Sequence, residues 1–199
     1  IADGIETVAE AHCIDGLVLL GSCDKIVPGM LMAAARLDIP CIFVPEGSMF
    51  SGPGYADQEK TDTTSCSEAM GRVQIGEMTE CEVCRLSSVS APTSGSCQFM
   101  GTANSMCCLA EALGMTLTGG ALIPAVFNER QRNAFASGEQ IVKMVKENVT
   151  ARKIITRESL KNAVMVMMAV GGSSNTVIHT CAIAHELGID PHEILDDFD

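Results

Sequence analysis

Residues 15–45 constrain this chain more than any other stretch. Leu17-Val18-Leu19-Leu20 is a short continuous apolar run between Asp15-Gly16 and Gly21-Ser22. A run that brief, bounded by turn residues, reads as a buried parallel strand. Pro28-Gly29 opens a helix through Met30, Leu31, Met32, Ala33, Ala34, Ala35 and Leu37. Proline suits a first helical turn, where its missing N–H costs no intrahelical bond. Ile39-Pro40 leads into a second run, Cys41-Ile42-Phe43-Val44, closed by Pro45. Strand, loop, helix and strand at this spacing predict a parallel pair joined by a right-handed crossover.

The rest of the chain adds helices. Residues 2–13 have helical spacing, with Ile5, Val8, Ala9 and His12 on one side. Residues 46–62, rich in Gly, Ser, Pro and acids, read as a loop; residues 63–85 read as a helix, and Ser87 to Ala91 as a third strand. Pro92 to Phe99 is a loop of small residues. Further helices are expected from Gly101 to Leu113 before Gly114, from an Asn128 cap to about Asn148, from Thr156 to Val170, and from Thr176 to Leu187 before Gly188. The final Asp196-Asp197-Phe198-Asp199 shows no closing element. The sum is an α/β fold: residues 1–199 form a single parallel-sheet domain with flanking helices and a helix-rich second half. With 199 residues, such a domain buries roughly 70% of its unfolded surface. The chain has no Trp and only 4% aromatic residues, so aliphatic and sulfur side chains must fill the core.

Charge and composition exclude several functions. The formal charge is −12 and the basic residues are scattered, so no basic face exists for nucleic acid or an anionic membrane. The start, Ile-Ala-Asp-Gly-Ile-Glu, has neither the basic nor the apolar region of a secretory signal. The uncharged run from Leu86 to Ala110, Arg-free and rich in Ser, Thr and Gly, is no membrane span. The chain reads as soluble and cytoplasmic. There, ten cysteines are not a disulfide framework but small core residues, metal or cluster ligands, or a mixture.

Three loops carry the chemistry. Ligands of open α/β sheets sit beyond the carboxyl ends of the strands. Cys23-Asp24-Lys25 lies at such an end and places a thiol, a carboxylate and an amine in sequence before a helix N-terminus. It is a candidate metal or anion site, or else an ordinary turn. In Ser94-Gly95-Ser96-Cys97-Gln98-Phe99-Met100-Gly101-Thr102-Ala103-Asn104-Ser105-Met106, a cysteine again stands among small residues before a helix. Small residues let an inorganic centre approach the backbone and leave N–H groups free to bond its sulfides; a Gly-Ser turn with a buried Cys would look the same. Gly171-Gly172-Ser173-Ser174-Asn175 precedes a helix and could hold an anion, or merely cap it. Cys81-Glu-Val-Cys84 is a lone C-x-x-C with no second pair for a closed zinc site. Cys13, Cys41, Cys107, Cys108 and Cys181 fit core positions, and Cys66 is undecided. His179 and His185 are six apart and make no H-x-x-x-H pair, although His179 lies close to the Gly-Gly-Ser-Ser-Asn loop.

These loops together resemble the dihydroxy-acid dehydratase / 6-phosphogluconate dehydratase family. Asp15 to Ala33 resembles the family's Cys-Asp-Lys segment, and Gly95 to Met106 is similar to its second cysteine motif. Gly171 to Asn175 looks like its Gly-Gly-Ser-Thr-Asn loop, with Ser174 in place of Thr. The resemblance covers nearly the whole chain, with the motifs in order. It implies an iron–sulfur hydro-lyase. Cys23 and Cys97 would be two of three cysteines holding a 2Fe-2S or 4Fe-4S cluster, the third lying upstream of this chain. Mg²⁺ would sit at Asp24 and Lys25, the lysine being carbamylated in the family. Thr102, Ser173, Ser174 and Asn175 would contact substrate. The catalytic base would belong to a C-terminal β-rich domain outside these residues, so the chain reads as a fragment of a longer dehydratase. The implied partner is a small dihydroxy acid, and the implied intact enzyme a homodimer.

Cys23 to Ile39 reads most like the branched-chain biosynthetic enzyme, dihydroxy-acid dehydratase. Pro45-Glu46-Gly47-Ser48-Met49 departs from that enzyme's Ser-Gly-Gly-Pro-Met, and Phe99-Met100-Gly101-Thr102 is similar to sugar-acid dehydratases. A sugar-acid or 6-phosphogluconate dehydratase is therefore the alternative. The isolated fragment reads as an inactive, cluster-free domain. A thiol-redox or zinc module built on Cys81 and Cys84 is a third reading.

Overall fold

The structure, a computed structural model, describes residues 1–55 and 58–199. The expected βαβ unit is present. β1 (Leu17–Gly21) and β2 (Cys41–Pro45) pair in parallel, Leu17 opposite Cys41 and Gly21 opposite Pro45, and α2 (Ile26–Leu37) connects them. Pro28 sits in the first turn of α2. The helix stops where Asp38 adopts a left-handed φ of 49° and donates its N–H to the Ala34 carbonyl.

β2 is buried along its length, and on its other side Phe43 donates its N–H to the Met115 carbonyl (2.6 Å). β1 departs from expectation. Leu19 and Gly21 face inward, but Val18 is 40% and Leu20 53% exposed. Its continuous apolar run marks an edge strand with one face open, not a strand covered on both faces.

Helices build the rest. α1 (Ala2–Ala11) and α9 (Asn175–Glu186) pack on α2, α5 (Thr102–Ala112) packs on α8 (Arg157–Val170), and α6 (Asn128–Lys146) covers β2 and β1. Leu31, Phe43, Met106, Leu109, Met115, Leu160, Met167 and Ile183 make one core, aliphatic and sulfur-rich as expected. Each such side chain contributes about 1.5–3 kcal/mol by leaving water. The chain is a mixed α/β fold, rich in helix. Among the described residues no helix is long and apolar enough to cross a membrane.

Several local expectations fail for identifiable reasons. Within 46–62, β3 (Gly52–Tyr55) and β4 (Gln58–Thr61) form an antiparallel hairpin; residues 56 and 57 lie outside the described residues. A Cβ on Gly52 would fall 2.1 Å from the Val89 carbonyl oxygen, so the hairpin depends on a long-range backbone approach that composition does not display. The expected helix 63–85 is two helices, α3 (Thr63–Gln74) and α4 (Glu80–Ser90), each started by its own capping box, Asp62 with Ser65 and Thr79 with Glu82. Ser87 to Ala91 is no strand. It is the end of α4, where the Ser87, Ser88 and Ser90 hydroxyls donate back to carbonyls three or four residues earlier. Asn128 does not cap α6; Phe127 holds that position without a side-chain bond. On α1, Val8 and His12 are exposed, and Ala2 and Ala9 make the buried face. The C-terminus does have a closing element, α10 (Pro191–Asp196), capped by Asp190 with proline in its first turn. Of the five cysteines expected in the core, Cys41 and Cys107 are part of it, Cys108 and Cys181 pack against it, and only Cys13 lies outside it. Cys41 and Cys107 are buried, Cys66, Cys108 and Cys181 are half-buried, and Cys13, Cys81 and Cys84 are exposed.

Candidate functional site

The carboxyl end of the β1–β2 pair organises the site. Pro45 lies beside Gly21 in register, and the Glu46 N–H donates to the Gly21 carbonyl (3.3 Å). Directly after β1, Ser22 is buried and its hydroxyl lies 3.8 Å from the Cys107 sulfur on α5. That contact anchors the loop and turns the next residue, Cys23, outward into solvent. Asp24 is half-buried, and its carboxylate lies 3.4 Å from the Lys25 ammonium. The ammonium also lies 3.3 Å from Nε2 of His179 on α9. Burial and the Lys25 charge hold the His179 pKa below its ordinary value, against a smaller opposing effect of Asp24. A neutral imidazole accepting from Lys25 satisfies both observations; the tautomer with the proton on Nδ1 follows from that contact.

The Cys97 loop reaches the same end of the sheet through the loop that follows β2. Ser96 bridges Ser48: its N–H donates to Gly47 (2.9 Å) and its carbonyl accepts from Met49 (2.9 Å). Gly95 has a φ of 132°, and a Cβ there would fall 2.4 Å from the Met49 nitrogen. Only glycine fits, for both reasons. Asn104, in the first turn of α5, closes the loop from the other side by donating to the Cys97 (2.9 Å) and Phe99 (2.6 Å) carbonyls. Cys97 itself is half-buried.

Thr102, Ser173 and Asn175 meet at the paired N-termini of α5 and α9. The Thr102 and Ser173 hydroxyls are 2.9 Å apart, and the Asn175 amide donates to Thr102 (2.9 Å). Buried Ser105 accepts the Ser173 N–H (2.9 Å). These bonds knit the N-termini of the two helices together. Ser174 stands apart, exposed and without a side-chain cap bond. Asn104 and Ser105 are the members that sequence reasoning missed; the only available signal was their place two and three residues after Thr102.

The donor chemistry fits an iron–sulfur centre in part. Two cysteines, one exposed and one half-buried, rise from loops joined at one end of the sheet, whereas the buried thiols are poor ligands. Burial pushes Cys41 up to about 12 and Cys107 up to about 11, the latter despite its contact with Ser22. Among the described residues no three His, Cys, Asp or Glu side chains converge as a metal would require. Cys81 and Cys84, both exposed on α4, therefore have no further ligand beside them. Asp24 suits Mg²⁺, but Lys25 as an ammonium repels it; only a carbamate would turn that side chain into an oxygen donor. A cavity of about 440 Å³ touches Lys25 and His179 and runs along Pro28 and Met32 to Arg36.

Comparison with known proteins gives the family. The family model described as Dihydroxy-acid/6-phosphogluconate dehydratase N-terminal matches residues 1–199. A protein named dihydroxy-acid dehydratase from Citrifermentans bemidjiense is 53% identical over 197 residues, covering 98% of this chain and 36% of the relative. One of that name from Thermodesulfovibrio yellowstonii is 50% identical, covering 99% and 36%. Dihydroxy-acid dehydratase 1 from Methanosarcina acetivorans is 52% identical, covering 96% and 34%. The chain thus spans about a third of the length of the curated relatives it matches. With the match running from the first residue to the last, the chain belongs to the dihydroxy-acid/6-phosphogluconate dehydratase N-terminal family.

Proposed function

We propose that the protein carrying this chain is a dehydratase that converts 2,3-dihydroxy acids to 2-keto acids. The observation that carries this reading is the 53% identity, over 98% of the chain, to a protein named dihydroxy-acid dehydratase. In the reaction a proton leaves C2 and hydroxide leaves C3, together one water, and the resulting enol tautomerises to the keto acid. When bound, an iron–sulfur centre with an open iron position and a neighbouring Mg²⁺ supply Lewis acidity toward the departing hydroxyl and the carboxylate side of the substrate.

The chain's own residues supply anchorage and orientation. Cys23 and Cys97 donate two thiolates from the two loops joined at the carboxyl end of β1–β2. Asp24 offers a carboxylate to the hard cation, with Lys25 completing that position as its carbamate. While Lys25 is an ammonium, His179 accepts its hydrogen bond as a neutral imidazole; conversion to the carbamate would remove the positive charge that helps to hold His179 neutral. Ser174 presents the one uncommitted hydroxyl of its loop to substrate, while Thr102, Ser173 and Asn175 hold the N-termini of α5 and α9 in place. By itself the chain has two of the cluster thiols, and we read residues 1–199 alone as a cluster-free, inactive unit. The intact enzyme is read as a homodimer working in the cytoplasm on a small acid substrate.

The test is anaerobic reconstitution of the whole protein with iron and sulfide, followed by keto-acid detection on a substrate panel. Turnover of 2,3-dihydroxy-3-methyl acids, lost in Cys23→Ser and Cys97→Ser together with bound iron, is the expected result. Turnover confined to aldonates or 6-phosphogluconate would favour the second reading, a sugar-acid dehydratase. That reading draws on the Phe-Met-Gly-Thr pattern, in which a Cβ on Gly101 would meet the exposed Phe99 ring at 2.4 Å. No turnover on any of these acids would sink both.

A further inference from the structure

The segment between α5 and α6 lacks regular structure, yet one charge of each sign clamps it. Glu111, in the last turn of α5, accepts the N–H groups of Gly119 (2.6 Å) and Ala121 (2.8 Å). Arg130, in the first turn of α6, donates from Nη2 to the carbonyls of Gly120 (2.7 Å) and Ile123 (2.5 Å). Arg130 is only 7% exposed. Among the described residues no carboxylate pairs with it, and its Nε and Nη1 are buried without a hydrogen-bond partner. A buried charge left so poorly compensated is a worse filler than an apolar side chain of equal volume. What an apolar side chain could not supply is the pair of carbonyl bonds.

The clamped segment reaches the Cys97 loop through backbone alone. Ala125 donates its N–H to the Ser48 carbonyl (3.1 Å), and Gly47 and Met49 exchange hydrogen bonds with Ser96. Gly47 and Gly95 occupy the contacts with left-handed φ values of 88° and 132°. A Cβ on Gly47 would lie 2.4 Å from the Ile123 carbonyl oxygen, and one on Gly95 the same distance from the Met49 nitrogen. Backbone against backbone leaves no flexible side chain to absorb a shift, so a displacement at 120–123 passes on to Ser96 and the next residue, Cys97.

The geometry points to Glu111 and Arg130 as positioning residues for Cys97. Their charges hold 119–123, that segment supports the turn at 47–48, and the turn fixes the backbone of Ser96, next to Cys97. The functional consequence rests on the reading of Cys97 as a cluster ligand; the placement itself is a property of the metal-free protein.

The experiment uses the whole protein without metal and follows iodoacetamide alkylation of Cys97 and Cys23 by peptide mass spectrometry. Thermal midpoints and iron per chain after reconstitution are measured alongside. Arg130→Met and Glu111→Gln are expected to speed Cys97 alkylation about tenfold, by loosening its loop locally, while Cys23 reacts as in the parent. Arg130→Lys, which keeps the charge and one donor, recovers part of the parental rate. Arg152→Met is the reference: Arg152 also donates to backbone carbonyls, those of Ala35 (2.8 Å) and Glu186 (3.2 Å), but at the opposite end of α2. It should lower the midpoint and leave both alkylation rates unchanged. Unchanged Cys97 rates in Arg130→Met and Glu111→Gln, or rates that move in step with Cys23, overturn the proposal. A parent protein without iron but with the expected Cys97 rates would defeat the functional reading and leave the clamp standing. A parent that binds iron, with Cys97 indifferent to both substitutions, would do the reverse. If Arg130→Met does not fold, Glu111→Gln and Arg130→Lys decide the question.

Discussion

At the scale of single residues, two glycines of the same type have opposite roles. Gly95 has a φ of 132°, and its Cβ position is filled by backbone of Ser48 and Met49. Gly138 lies inside α6 with nothing within 4 Å of a Cβ. Gly95→Ala should therefore cost about 1–3 kcal/mol from backbone conformation alone, with the steric clash in addition. Gly138→Ala should stabilise by about 0.5–1 kcal/mol, because a mid-helix glycine loses entropy without return. Urea denaturation midpoints check both; a destabilising Gly138→Ala would refute the second. The sequence places Gly95 in a loop and Gly138 in a helix, but only the long-range approach of residues 48 and 49 shows that the Gly95 Cβ position is filled. The thiols divide in the same way. Cys23 stood out by the carboxylate and amine that follow it and Cys97 by its small neighbours, whereas the exposure of Cys13, Cys81 and Cys84 was not visible, because core and surface cysteines occur in similar local patterns.

At the scale of elements, caps explain what was read correctly and what was not. The start of α8 at Thr156 was legible, and the structure completes its capping box with Ser159 (N–H donors at 2.8 and 3.2 Å). Thr156→Ala should lower stability by about 1 kcal/mol, read as a lower thermal midpoint without loss of the folded spectrum. Thr156→Ser should retain most of it. Residues 63–90 went wrong because their helical composition is continuous while their caps are not. Thr79 with Glu82 starts a second helix, and Gly76 with φ 76° ends the linker's first turn. The serine run at its end suggested a strand, but its hydroxyls return to helix carbonyls instead of leaving them for a neighbour. β1 and β2 were found because brief apolar runs between turn residues have few other solutions. Which of them is buried on both faces was not legible, since both runs are equally apolar.

At the scale of the molecule, Arg36 joins three helices. It donates to Asp3 (2.7 Å) and Glu6 (2.7 Å) on α1, and to both carboxylate oxygens of Glu186 on α9 (3.0 and 2.7 Å). Those hydrogen bonds, foremost among the causes, hold the Glu186 carboxyl below its ordinary 4.5. A carboxyl whose pKa is depressed by folding adds stability that is complete above its unfolded pKa and is lost as pH falls through the folded value. Arg36→Met should thus lower stability near neutrality. It should also flatten the fall in stability below about pH 4.5, as measured by denaturation midpoints from pH 7 to 3. An unchanged acid profile would show that Glu186 does not carry this dependence. Sequence alone determined the βαβ unit, the helix-rich α/β class, the three chemical loops and the family, because each is written in local spacing and residue type. Tertiary structure alone decided that the Cys97 loop is carried by the loop after β2, that Thr102, Ser173 and Asn175 bond one another, that His179 meets Lys25, and that Arg130 is buried. Those are contacts between residues 47 to 154 positions apart, or burial imposed by them, and side-chain periodicity holds no record of which distant segment will close over a given residue.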